Sequence, residues 1–162
     1  MKKLLVYVLI AAVLLSAAAC AEVAALSERL FISAKSALSC LAVGDYDQVV
    51  TTLPFSDFSP SADEWQRFAQ GSFATLTGAM PQQQYAVAYW LNGCWKLAVP
   101  VSEPAHDGVE ALVLMSEDGH SFFGYGHAFW GQVRSEYQAA DYVTWNQEYF
   151  GSTSAVVEFD LY

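Results

Sequence analysis

Two apolar runs separated by Asn92-Gly93 make up the stretch from Tyr85 to Val101. Asn-Gly readily adopts the two positive-φ positions of a type I′ turn, so this pattern predicts a β-hairpin, which we place at the centre of a sheet. The turn sets Leu91 opposite Cys94 and, five pairs further along, Ala86 opposite Val99. Because side chains alternate along a strand, the hairpin has two different faces. The predicted core face carries Trp90, Trp95, Ala88, Leu97, Ala86 and Val99, and the more mixed face carries Tyr89, Lys96, Val87, Ala98, Leu91 and Cys94.

Three helices are predicted before this hairpin. Apolar residues recur at intervals of three and four from Glu22 to Val43, and Gly44 follows where a helix commonly ends. Asp45 begins a short helix that ends at Leu53, before a proline. The capping box formed by Ser61 and Glu64 begins a third helix that runs towards Thr77.

A second hairpin is predicted around Asp118-Gly119, with strands Val109–Glu117 and His120–Ala128. The two-residue turn sets Glu117 opposite His120 and Glu110 opposite His127. Gly124 and Gly126 lie on one face, which suggests a bend or a place where a helix or ligand approaches the backbone.

The rest of the chain contains a predicted short helix over Gly131–Asp141, with Val133 and Tyr137 directed inward, and a last strand over Thr153–Leu161. The stretch from Tyr142 to Gly151 has no pattern that we can interpret. We therefore predict an α+β fold in which N-terminal helices pack on a curved antiparallel sheet of about five strands.

The N-terminal segment has the order of a secretory signal. Lys2 and Lys3 precede an apolar run, and small residues precede Cys20. The run is shorter than the roughly 18 to 20 residues that span a bilayer. We therefore expect residues 1–19 to be a signal peptide and residues 20–162 to form a single exported domain.

The tetrapeptide Ala17-Ala18-Ala19-Cys20 resembles the lipobox of bacterial lipoproteins. The resemblance implies that Cys20 is lipidated and that the protein is a membrane-anchored lipoprotein of the cell envelope, facing outside the cytoplasm. Ala17 departs from the pattern, because a leucine or similar residue is usual there. Cleavage by an ordinary signal peptidase after Ala19 or Ala21 is the alternative, and Cys20 would then carry no lipid.

The charge balance excludes nucleic-acid binding. The full chain has a net charge of −10, and loss of Lys2 and Lys3 leaves five basic residues against seventeen acidic ones, a net charge of −12. Binding to phosphates requires basic patches, which this sequence lacks. The acidic, aromatic-rich composition favours a module that faces a solute or another protein.

Besides Cys20, the chain contains two cysteines, Cys40 and Cys94. In an oxidising compartment they could form a disulfide that joins the first helix to the tip of the central hairpin, worth about 3 to 4 kcal/mol by loop entropy. Two buried free thiols are the alternative. Neither cysteine lies in a metal-binding spacing, so no metal site is expected.

The order of helix, Gly44-Asp45-Tyr46, short helix, third helix and long antiparallel strands resembles the NTF2-like (cystatin-like) group of small α+β cone folds, some of which are envelope lipoproteins. The local match is ALSCLAVGDYDQVVTTL, Ala37 to Leu53. The resemblance implies a curved sheet wrapped on helices, with a cavity that binds small molecules in some members and performs acid–base chemistry in a few. The late helix and the uninterpreted stretch from Tyr142 to Gly151 depart from the usual order.

The sequence contains none of the strong local signatures of enzymes, so we assign no catalytic residue and no cofactor. Glu110 and His127 could take part in acid–base chemistry in a cavity, although a structural role is the alternative. Glu117 and His120 flank the turn and are expected to be solvated. The two pairs lie too far apart to share one metal ion.

The aromatic residues around the hairpins either line a ligand pocket or fill the core. Lys96, which faces Tyr89, is the first choice for contact with an anionic ligand, with a solvated lysine as the alternative. The candidate ligand-binding residues are Tyr89, Lys96, Glu110, Tyr125 and His127.

We therefore expect an exported, lipid-anchored module that binds an unknown small molecule or envelope protein without catalysis and meets the membrane only through its N-terminal lipid. A small cavity enzyme, isomerase-like or hydrolase-like, and a module that binds a protein partner are the alternatives.

Overall fold

The computed structural model describes residues 25–74, 76, 86–101, 107–146 and 156–159. Within these residues three helices precede four strands, and a fourth helix and two further strands follow. The elements are α1 (Glu28–Val43), α2 (Tyr46–Thr52), α3 (Ala62–Ser72), β1 (Ala86–Leu91), β2 (Cys94–Pro100), β3 (Glu110–Ser116), β4 (Gly124–Phe129), α4 (Trp130–Gln138), β5 (Tyr142–Asn146) and β6 (Val156–Phe159).

The strands form one open antiparallel sheet in the order β4-β3-β2-β1-β5-β6. The predicted α+β class, with helices before the sheet, is confirmed. The sheet has six strands among the described residues rather than about five, because β5 lies in the stretch that had no interpretable pattern. The predicted signal peptide, residues 1–19, and Cys20 lie outside the described residues.

The central hairpin forms as predicted. Asn92 and Gly93 both have positive φ, 56° and 81°. The predicted register holds from Val87 opposite Ala98 to Leu91 opposite Cys94. The type I′ turn therefore fixes the middle of the sheet from local sequence alone.

The predicted register of the second hairpin is wrong by two residues. Glu110 pairs with Phe129, and His127 pairs with Leu112. A two-residue turn does not form, because the Asp118 carboxylate accepts the backbone N–H groups of His120 (2.7 Å) and Ser121 (2.8 Å) and so widens the loop. A shift of two residues leaves every side chain on its predicted face.

Helix ends also differ from the prediction where capping decides them. Ser61 and Glu64 form the predicted capping box at the start of α3. That helix ends at Ser72 rather than near Thr77, because Phe73 is extended. In the same way α1 begins at Glu28, since Ser27 is extended and acts as its N-cap.

The sheet has a hydrophobic core on each face. The first core lies between the sheet and α1–α3 and includes Trp95, Leu97 and Val99 at 0% exposure, which confirms the predicted core face. The second core lies under α4, where Tyr89 and Ala98 pack with Val133. The mixed face of the hairpin is thus covered by α4, and the expectation that α1 would meet it through Cys40 is wrong.

Candidate functional site

The structure divides the five candidate ligand-binding residues between opposite faces of the sheet. Tyr89 and Lys96 lie on the face covered by α4. Glu110, Tyr125 and His127 lie on the face covered by α1–α3. Glu110 contacts His127, and Tyr125 packs against the first core. The five residues therefore do not form one site, although Tyr89, Lys96 and His127 all line the smaller cavity described below.

A glutamate from α4 completes the site on the first of these faces. Glu136 Oε2 accepts hydrogen bonds from the Tyr89 hydroxyl (2.8 Å) and from Lys96 Nζ (2.6 Å). Its other oxygen, Oε1, accepts a hydrogen bond from Gln132 Nε2 (3.2 Å). We call Tyr89, Lys96, Gln132 and Glu136 the Glu136 cluster.

The position of α4 is fixed at its start. Trp130, its first residue, follows β4 directly, and its backbone N–H donates to the Val109 carbonyl oxygen (2.6 Å). Arg134 Nη1 also forms an ion pair with Asp107 Oδ1 (2.8 Å). These contacts hold the helix against the loop before β3, so Gln132 and Glu136, one turn apart, face β1 and β2.

The cluster keeps Glu136 ionised. Burial raises the pKa of the Glu136 carboxyl, but hydrogen bonds from Lys96, Tyr89 and Gln132 outweigh this effect and lower the pKa below its usual value. Burial and the adjacent Glu136 carboxylate raise the pKa of Tyr89, so its hydroxyl remains a donor. Lys96 and Glu136 form an ion pair whose side chains are 21% and 25% exposed.

A cavity of about 120 Å³ lies beside the Glu136 cluster. Its sheet side consists of Val113 and Met115 from β3 and residues 126–128 from β4. A Cβ atom added to Gly126 would meet no atom within 4 Å. The missing side chain at this position therefore leaves the space open, and the predicted close approach of a helix to the Gly126 backbone is not found.

Glu110 and His127 form a second, separate contact on the opposite face. Glu110 is 7% exposed, and its Oε1 lies 3.5 Å from His127 Nε2. The same oxygen accepts a hydrogen bond from the backbone N–H of Ala74 (3.1 Å), just beyond the end of α3. Although the two residues are not opposite each other, they are diagonal neighbours across β3 and β4 and remain in contact.

Aromatic rings enclose the His127 imidazole. Phe73 and Phe129 meet it edge-on, with centroid distances of 5.0 and 5.2 Å. Its buried Nε2 atom has no hydrogen-bond partner in the described part of the chain. The contact between Glu110 and His127 joins the end of α3 to the edge of the sheet. This favours the structural role that was the alternative to acid–base chemistry for these two residues.

Tyr125 belongs to an aromatic cluster rather than to a pocket. Its ring lies 4.2 Å from that of Trp65, which is fully buried, and 4.9 Å from that of Phe68. Burial, followed by the negative charge of Glu64, raises the pKa of Tyr125. The rings that the sequence suggested for an aromatic pocket are divided between the two cores, with Trp95 and Phe122 in the first and Tyr89 and Trp130 in the second.

A larger cavity of about 420 Å³ lies where the end of α1 meets α2 and the end of α3. The described residues that line it carry no charged side chain. Its polar side chains are Tyr46 and Gln70. It therefore has fewer groups that could orient a ligand than the cavity beside Glu136.

Cys40 and Cys94 are free thiols, so the structure does not contain the predicted disulfide. Cys40 packs against the first core. Cys94 precedes Lys96 by two residues on β2 and therefore lies with Lys96 on the other face of the sheet, which α4 covers. Burial raises the pKa of both thiols. Among the described residues, no cluster of three histidine, cysteine, aspartate or glutamate side chains could hold a metal ion, and no helix has the length and apolarity needed to cross a membrane.

Gln132 and Glu136 are not among the site residues predicted from the sequence. A signal for Glu136 was present, because the predicted helix placed Val133 and Tyr137 inward and residue 136 lies on the same helical face. Placing Glu136 beside Lys96 also required knowing which face of the sheet the helix covers.

Comparison with known proteins does not extend this description. No family model matches the chain, and neither the search of curated proteins nor that of solved structures found a match. The similarity to NTF2-like proteins therefore stays a prediction from the sequence.

Proposed function

We propose that this protein is an exported, non-catalytic module that binds a small molecule in the cavity between α4 and the sheet. The observation that carries this proposal is the open space of about 120 Å³ beside the fixed polar side chains of the Glu136 cluster. Binding sites for small molecules combine apolar walls with a few precisely placed polar groups. Here Val113, Met115 and Ala128 supply the walls.

The volume limits the size of the ligand. An apolar cavity of about 150 Å³ holds one benzene molecule. The cavity beside Glu136 therefore suits a molecule of about that size or smaller. The partial exposure of Lys96 and Glu136 supplies a route to solvent.

The enzyme alternative, which relied on Glu110 and His127, has less support. Glu110 already accepts a backbone hydrogen bond from Ala74, and two phenylalanine rings flank His127. These contacts favour a structural role, because a general base must reach a proton on a substrate.

A search of small fragments by two-dimensional ¹H–¹⁵N NMR tests the proposal. We expect fragments that bind to shift the backbone amide signals of Lys96, Gly126 and Gln132. Gly126→Val should abolish these shifts because its side chain fills the cavity, whereas Gly126→Ala, the matched control, should weaken them less. If no fragment moves these signals, or if Gly126→Val binds as the natural protein does, the proposal is wrong.

Export and lipid anchoring are a separate part of the proposal, supported by the signal-like order of residues 1–19 and by the small residues before Cys20. Radiolabelled palmitate should be incorporated into the full chain and lost in Cys20→Ala. A mature N-terminus at Glu22 would rule out lipidation at Cys20.

A further inference from the structure

We infer that the ligand of this cavity is an uncharged molecule with a carbonyl-type hydrogen-bond acceptor, and that Glu136 is the residue that disfavours anions. The inference rests on the proposed function, since it assigns the chemical class of the ligand to the same cavity. It also replaces the expectation from sequence that Lys96 contacts an anion.

The hydrogen-bonding groups that remain available decide the class. The Glu136 carboxylate already accepts hydrogen bonds from three donors, so it has little capacity to accept another from a ligand. Lys96 uses one of its three N–H donors on Glu136 and donates to no other described residue. The Gln132 side-chain oxygen likewise has no donor within the described residues. The site therefore offers N–H donors and one amide oxygen.

The charge of the site disfavours anions. An anionic ligand near Lys96 Nζ would also lie near Glu136 Oε2, which is 2.6 Å from that nitrogen. Attraction to the ammonium and repulsion from the carboxylate largely cancel, so the cost of desolvating the anion is not recovered. For a cation the same two charges act with opposite sign and also largely cancel, so its desolvation cost is likewise not recovered. An uncharged ligand avoids both costs.

A small primary amide has the complementary groups. Its carbonyl oxygen would accept a hydrogen bond from Lys96, and its amide N–H would donate to Gln132. Its hydrocarbon end would lie over Gly126, beside Val113 and Met115. Larger molecules of the class would present the same carbonyl group to Lys96.

The test compares two nearly isosteric probes, propionamide and propionate, by NMR titration of the cavity amide signals. We expect the natural protein to bind propionamide about tenfold more tightly than propionate. In Glu136→Gln the Tyr89 hydroxyl keeps an acceptor while the Lys96 charge is no longer neutralised. Propionate should then bind more tightly than propionamide.

A control separates the local charge from the net charge. Asp47→Asn removes one negative charge from an exposed position on α2, which packs on the opposite face of the sheet, and should leave the preference for propionamide unchanged. Equal or tighter binding of propionate by the natural protein would overturn the inference, and this result needs no variant. An unchanged preference in Glu136→Gln would also overturn it. If neither probe shifts a cavity signal although other fragments do, the inference is wrong and the binding site stands; if no fragment shifts these signals either, the proposed binding site itself is wrong.

Discussion

The hydrogen bond between Tyr89 and Glu136 should couple the second core to α4, and this coupling can be measured. Tyr89 is 0% exposed, and its hydroxyl donates to Glu136 Oε2 at 2.8 Å. In Glu136→Ala the buried hydroxyl loses this acceptor, which costs about 1 to 3 kcal/mol. Loss of the ion pair with Lys96 adds at most about 1 kcal/mol, because both charged side chains are partly exposed.

Tyr89→Phe should lower the free energy of unfolding by less than Glu136→Ala does, about 1 kcal/mol, because Glu136 keeps the hydrogen bonds from Lys96 and Gln132. The double variant contains no unpaired buried hydroxyl, so its cost should be smaller than the sum of the two single costs. We expect a coupling free energy of about 1 to 2 kcal/mol from the double-mutant cycle.

Urea unfolding at pH 7, followed by tryptophan fluorescence, measures all three variants against the natural protein. Lys96→Met is the comparison for the ion pair and should lower the free energy of unfolding by less than about 1 kcal/mol. Additive costs, within about 0.5 kcal/mol, would refute the argument that Glu136 is the acceptor on which the Tyr89 hydroxyl depends. A larger cost for Lys96→Met than for Glu136→Ala would refute the assignment of the main cost to that hydroxyl.

Three further predictions concern turns and caps. Gly119→Ala should lower the midpoint temperature of thermal unfolding more than Gly93→Ala. Both glycines have positive φ, but a Cβ atom at Gly119 would lie 2.8 Å from a backbone oxygen, whereas a Cβ atom at Gly93 would meet open space. Ser61→Ala should cost about 1 kcal/mol in urea unfolding, because α3 loses its N-cap, while Ser61→Asp should keep most of the stability. Hydrogen bonds from the backbone N–H groups of His120 and Ser121 lower the pKa of Asp118 from 3.8 to about 2. The ionised carboxylate therefore stabilises the fold above pH 3.8, and this contribution is lost as the pH falls towards about 2. The difference in unfolding free energy between the natural protein and Asp118→Asn, measured over this range, should therefore shrink with falling pH, and a constant difference would contradict the assignment.

Local sequence predicted those parts of the fold that local interactions determine. Asn92-Gly93 fixed the first hairpin, and the capping box at Ser61 fixed the start of α3. At Asp118 the same rule for a two-residue turn failed, because a side-chain acceptor competed with the backbone pairing of the turn. Backbone propensity does not include that competition, so the register shifted although the faces did not.

The contact between Glu110 and His127 was predicted although the register was wrong, because both residues were assigned to the correct face of the sheet. The predicted opposition of the two residues was wrong, yet their contact survived because diagonal neighbours on one face lie within reach of long side chains. The pattern could not show that Ala74 and the ring of Phe73 reach the same place, since the end of α3 had been predicted several residues later.

The face of Tyr89 and Lys96 required information that no local pattern contains. Alternation along β1 and β2 placed the Tyr89 hydroxyl and the Lys96 ammonium on one face. The strand sequence does not distinguish a lysine that remains partly solvated from one that pairs with an acidic residue. The partner lies forty residues further along the chain, on the layer that covers this face. Since Tyr89 is fully buried and Lys96 is 21% exposed, their polar groups needed an acceptor from that layer. Glu136 is the only acidic residue of α4, so once α4 is known to cover the mixed face, the ion pair with Lys96 can be predicted from the sequence of that helix.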